Sequence, residues 1–169
     1  MAETTVTAYL RKLLDDTDET MFSDDELETL MSLHRVHVLY EWMEYDAEQK
    51  RFWVPGCRCM SEASLWDSYD EDDQNELTPD SYSLMEGWFE FDTEQDVPVY
   101  LKAVRYEIEA AAAAGWTIIA SDKAKLTQYM SGSGAESAQQ AHAQALKQVQ
   151  LFMGRANSPG SGTTPRLYE

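Results

Sequence analysis

Two cysteines, three histidines and 31 carboxylates are the residues of this chain with the potential for chemistry. Cys57-Arg58-Cys59 could present two thiolates on one face of a strand, but zinc takes about four ligands and only His34, His37 and His142 remain to complete a set. No CxxC or HxxxH spacing is present, so the pair reads as two small, half-buried side chains of a sheet. The two cysteines are too close in sequence for an ordinary disulfide, which fits folding in a reducing compartment. His34 and His37 bracket a helix-to-strand boundary, where local hydrogen bonding is the simpler role.

The acidic run from Asp67 to Glu76 invites comparison with a calcium loop. Such a loop needs oxygen ligands at alternating positions and a glycine at the sixth; counted from Asp70, the sixth residue is Asn75. A hydrated loop of mutually repelling charges is the expected alternative. Acid pairs such as Glu41/Glu44 and Asp24/Asp25 could support general acid–base work, yet a chain this acidic produces them by composition. Gly132-Ser-Gly134 lacks the lysine and spacing of a phosphate loop and reads as a helix connection. With no nucleophile and base placed by a recognisable motif, the expectation is a protein that is not an enzyme and holds no cofactor or metal.

Charge distribution says more. Residues 1–96 carry 26 of the 31 acids and 6 of the 13 Lys and Arg, while the remainder is close to neutral. A surface of that sign repels phosphate and attracts basic partners through its summed field. The aromatic set Trp42, Trp53, Trp66, Trp88, Tyr40, Tyr45 and Tyr69 could stack bases, but such platforms sit in positive grooves. Core packing and protein–protein contact fit these aromatics better.

The elements that must position these residues follow from periodicity. Val6, Leu10, Leu13 and Leu14 lie at helical spacing, ended by Asp15, Asp16 and Asp18. Ser23 with Glu26 forms a capping box for a second helix, and Phe22 against Leu27 forms its hydrophobic staple. Alternation from Val36 to Tyr45 predicts a strand, followed by a turn at 46–50. Strand pieces at Arg51–Val54 and Cys57–Met60, a solvated loop from Asp67 to Asp80, a hairpin turning at Glu86-Gly87 and a strand from Val97 to Val104 complete a β region. An Ala-rich helix is expected from Tyr106 to about Lys125, and a last helix from about Ala135 to Ala156.

The chain therefore reads as α+β in four segments: an N-terminal helical pair (1–35), an acidic antiparallel β subdomain (36–104), an Ala-rich helical pair (105–156) and a flexible tail (157–169). No stretch approaches the ~18–20 apolar residues of a membrane span, and the N-terminus has no apolar core bounded by a cleavage site, so a soluble, intracellular protein without membrane contact is expected.

The order of these pieces resembles the head-to-tail adaptor (head-completion, or connector) proteins of long-tailed bacteriophages. The similarity is carried by Val-Thr-Ala-Tyr-Leu-Arg-Lys-Leu-Leu at 6–14, Thr-Asp-Glu-Thr-Met-Phe at 17–22 and Ser-Asp-Asp-Glu-Leu-Glu-Thr-Leu at 23–30. It continues in the Ala-rich helix opened by Tyr106, the junction at Lys125–Ser137 and the Ala/Gln-rich last helix before the tail.

The resemblance implies a small four-helix bundle with the β subdomain inserted between helix two and helix three. It also implies a virion structural protein, made in the host cytoplasm and placed at the head–tail junction. About a dozen copies would form a ring beneath the portal, joining capsid to tail. The partners implied are further copies of the chain, the portal protein and a tail-completion or tail tube protein, with DNA passing through unbound. A channel that lets DNA slide should carry carboxylates rather than cations. Glu41, Glu44, Asp46, Asp70, Asp72 and Asp73 are therefore expected at the channel or tail-side rim. Pro165, Arg166, Leu167 and Tyr168 are expected to dock on the portal, and Ala111, Ala112, Ala141 and Ala145 to pack neighbouring subunits. An acidic DNA mimic that inhibits a nucleic-acid enzyme, and a neighbouring tail-completion protein, are the competing readings.

Overall fold

The computed structural model describes residues 2–16, 21–70 and 74–157, with side chains from Val6 onward. The fold is mixed α and β, and among the described residues it holds five helices and eight strands. In chain order these are α1 (Ala2–Leu13), α2 (Asp24–Leu33), β1 (Arg35–Trp42), β2 (Glu44–Tyr45), β3 (Arg51–Trp53), β4 (Met60–Trp66), β5 (Glu76–Leu77), β6 (Ser81–Ser83), β7 (Trp88–Glu90), β8 (Tyr100–Tyr106), α3 (Ile108–Ser121), α4 (Lys123–Ser133) and α5 (Ala138–Ala156). They divide into two compact units, one built on Thr7–His34 with the helices after Glu107, the other on Arg35–Tyr106.

In the helical unit, Leu10, Leu14, Leu27, Leu30 and Met31 are buried, as the periodicity of α1 and α2 requires. The capping box at Ser23 forms in full: Ser23 Oγ accepts from Glu26 N–H at 3.3 Å, and Glu26 Oε2 accepts from Ser23 N–H at 2.8 Å. The single helix expected from Tyr106 to Lys125 is two. Asp122 Oδ1 accepts from Ala124 N–H at 2.7 Å and Lys125 N–H at 3.1 Å, starting α4 afresh where an unbroken helix would have continued. Gly132 and Ser133 form the end of α4, and Gly134, at φ +70°, stops it.

α3 packs along α5, and α4 lies against both. Ala111, Ala112, Ala141 and Ala145 are fully buried in this unit. Their expected role between neighbouring subunits is therefore corrected: the close approach that alanine permits is made inside the chain, leaving those side chains no surface for another copy.

The β unit holds two four-stranded antiparallel sheets, ordered β1-β8-β4-β5 and β2-β3-β7-β6. The chain leaves the first sheet for the second at Met43, the one residue between β1 and β2. Met43, Phe52, Met60, Leu65, Phe89, Phe91, Val99 and Leu101 form a core shared by both sheets. The end of the expected acidic loop is strand rather than loop, because Glu76 and Leu77 pair with Trp66 and Leu65 as β5. The last strand begins later than expected, at Tyr100, and extends to Tyr106.

Gly87 makes the β6–β7 turn possible. Its φ is +80°, and a Cβ there would fall 1.8 Å from the carbonyl oxygen of Cys57.

Candidate interaction surfaces

Cys57 and Cys59 are buried thiols outside any disulfide, the first within 3.6 Å of Met60 Sδ; burial pushes the Cys57 thiol up to about 11. At neutral pH it is a neutral, apolar side chain and a poor nucleophile. Among the described residues no group of three or more His, Cys, Asp or Glu is placed to hold a metal ion, and no helix is long and apolar enough to cross a membrane.

Asp67 and Asn75 bond to each other across the acidic run. The Asp67 carboxylate accepts from Asn75 N–H at 2.7 Å and Asn75 Nδ2 at 2.8 Å. The backbone bond, then the amide bond, hold its pKa below the usual range.

Of the acids expected at a channel or rim, Glu41, Glu44 and Asp70 are exposed and Asp46 is half-buried. Asp46 Oδ1 accepts from Lys50 N–H at 3.0 Å and Arg51 N–H at 3.3 Å, holding the β2–β3 turn. Asp46 is thus a turn residue as well as a charge. The strand positions of Glu41 and Glu44 bring these two acids onto different sheets. Asp72, Asp73, Pro165, Arg166, Leu167 and Tyr168 lie outside the described residues.

Of the four tryptophans for which core packing or protein contact was expected, Trp53, Trp66 and Trp88 are half-buried and Trp42 is exposed. Directly opposed residues share a face of a sheet. In the first sheet Trp42, Tyr100, Trp66 and Glu76 stand opposite one another across all four strands. Trp42 is 64 % exposed, and Tyr69 meets Tyr100 edge-on at 5.7 Å. Lys102 Nζ lies 5.4 Å from the Tyr40 ring centre. Beside them a groove of about 320 Å³ is lined by Arg35, His37, Leu39 and Lys102 among others. Among the described residues neither Arg35 nor Lys102 is paired with a carboxylate.

In the second sheet the corresponding row is Glu44, Trp53, Trp88 and Ser83. Trp53 Nε1 donates to Glu44 Oε2 at 3.1 Å, and Trp88 Nε1 donates to Glu86 Oε2 at 2.6 Å. The Arg51 guanidinium lies 4.3 Å from the Trp88 ring centre. The inner row is Tyr45, Phe52, Phe89 and Tyr82, of which Phe52 and Phe89 are buried.

Each sheet thus turns aliphatic and Phe side chains to the core and a Trp-bearing row to the outside. A face of half-buried Trp and Tyr rings with Trp42 open to solvent has the composition of a protein-contact surface. Sequence reasoning missed this division because the bulge at Leu39 and Tyr40, where Tyr40 has φ +51°, shifts the alternation of β1 midway.

The helical unit contributes a rigid corner between α1 and α2. Asp16 accepts from Met21 N–H at 2.8 Å and Phe22 N–H at 3.0 Å. Arg11 donates to Asp16, to the Phe22 carbonyl and to Asp24. Lys125 of α4 donates to the Met21 carbonyl, pairs with Glu26 at 2.9 Å and lies over the Phe22 ring.

No protein-family model, curated protein or solved structure matches the chain.

Proposed function

We propose that the chain is a head-to-tail adaptor of a long-tailed bacteriophage: a virion structural protein that forms a ring beneath the portal and joins capsid to tail. One observation carries this reading. The segments whose pattern resembles that family, in α1, α2, α3 and α5, fold together as one helical unit, and the Arg11–Asp16–Asp24 corner that joins the first two is built from residues of, or beside, those segments. In this reading α1, α2, α3 and α5 are the four helices of the family's bundle, α4 lies in the junction before the last of them, and the strands between α2 and α3 are an inserted subdomain.

Charge supports the same function. Glu41 and Asp70 are exposed to solvent, and Asp46 is half-buried at its turn. A lumen or rim carrying such groups keeps phosphates at a distance, whereas cations there would release counterions from DNA and retain it. The partners are then other copies of the chain, the portal protein and a tail-side protein.

Quantitative mass spectrometry of gradient-purified particles from a lysate producing this chain tests the assignment. The expected result is the chain in fixed stoichiometry with the portal protein. Its absence from particles, with recovery bound to a DNA-handling enzyme, would replace this reading by that of an acidic DNA mimic.

A further inference from the structure

Part of β4 lacks a neighbour on one side. β8 pairs with it from Met60 to Trp66, but on the opposite side β5 meets it only at Leu65 and Trp66. The chain leaves that edge at Thr78 and Pro79, and proline has no N–H with which to continue a ladder. Among the described residues no strand pairs with 61–64 on the side away from β8. A groove of about 410 Å³ opens there. Alternation divides its walls: Ala63 and Leu65, on the core face, join Leu77, Leu84 and Phe89 as an apolar floor, while Glu62 and Glu76 stand with Trp66 on the outer face. These two carboxylates are the charged groups that line it; Glu62 is shared with the groove holding Arg35 and Lys102, and Glu76 is not.

We infer that the C-terminal segment of the same chain, residues 163–168, adds to this edge as a further strand. Strand addition takes its affinity from main-chain bonds and its specificity from alternate side chains. The alternation of the segment matches that of the groove. With Pro165 and Leu167 turned to the apolar floor, Arg166 and Tyr168 turn to the outer face, beside Glu62, Glu76 and Trp66. The backbone agrees with the side chains. Successive residues of a strand direct their N–H and C=O groups to opposite sides, so seating the Arg166 and Tyr168 N–H groups against β4 leaves Pro165, which has none, on the solvent side, where proline is tolerated.

Charge and tethering select this occupant. Arg166 is the one cation after Asn157, and the residues that join the segment to α5, 158–162, are Ser, Pro and Gly. A segment tied to the same chain reaches an effective concentration that a separate copy matches only in concentrated solution. The contact does not rest on the adaptor reading. The family resemblance expects Pro165 to Tyr168 on the portal, and a tail seated on β4 must leave it to dock there.

Amide hydrogen exchange of the full chain, read by mass spectrometry, tests the contact. Residues 61–64 should exchange at least about tenfold more slowly in the wild type than in L167D, with β8 equally protected in both. R166E should fall between the two. A synthetic peptide of residues 158–169 added to L167D should restore the protection seen in the wild type. Equal exchange of 61–64 in wild type and L167D would overturn the inference. So would wild-type protection that grows with protein concentration, because a second copy would then be the donor.

Discussion

Arg11 Nη1 donates to Asp16 Oδ2 at 2.9 Å, and both side chains are closed off from water. The same guanidinium bonds the Phe22 carbonyl at 2.9 Å, while Asp16 takes the N–H groups of Met21 and Phe22. A buried ion pair adds little net stability against well-packed apolar residues, but removing one partner strands the other charge. We predict that Arg11→Ala and Asp16→Ala each cost about 3 kcal/mol, read as a lower midpoint in urea. The double variant should lose much less than the sum. Additive losses would mean that the two residues act independently.

Gly87→Ala should destabilise the β unit by about 2 kcal/mol or more, because a Cβ meets backbone oxygen that no rotamer change can move and the φ of +80° is strained for alanine. Gly115→Ala is the informative contrast. There the Cβ would meet Leu14 Cδ2 at 2.6 Å, the end of a side chain that can turn aside, so thermal denaturation should show the smaller loss. Equal effects would contradict this account of the turn.

Glu26 gives the pH dependence. The Ser23 N–H bond first, and the Lys125 contact second, hold its pKa below the usual glutamate range. A carboxylate with a lowered folded pKa stabilises fully above its unfolded pKa, and that stability is lost as pH falls through the folded one. Glu26→Gln should therefore cost at most about 1 kcal/mol at pH 7, since the group is half-exposed. The gap between variant and wild type should close as pH drops below the usual glutamate range. A gap that widened with acid would rule out this cap as the source.

Cys57 supplies a test of the core. With its thiol pushed up to about 11, iodoacetamide at pH 8 should label it roughly a hundredfold more slowly in the folded protein than in urea. Equal rates in the two conditions would place it at the surface.

How far the sequence revealed the structure depended on distance along the chain. Ser23 and Glu26 are three residues apart, and their reciprocal bonds were legible because capping is local. The break at Asp122 was hidden among strong helix formers, where one aspartate can cap either a new helix or nothing. The Ala-rich helix was legible as a helix, but composition gives no address for what it packs on; α5 of the same chain filled that place. The two Trp faces were least legible, because a bulge and the crossing at Met43 decide which sheet and which side each aromatic takes.

The central claim, an adaptor ring with an acidic conduit, is tested most directly by an electron cryomicroscopy reconstruction of the head–tail junction in particles containing this chain. The account predicts a ring of copies beneath the portal, with Glu41, Asp46 and Asp70 toward the lumen or tail-side rim. A junction without this chain, or a ring whose lumen is lined by Arg35 and Lys102, would contradict it.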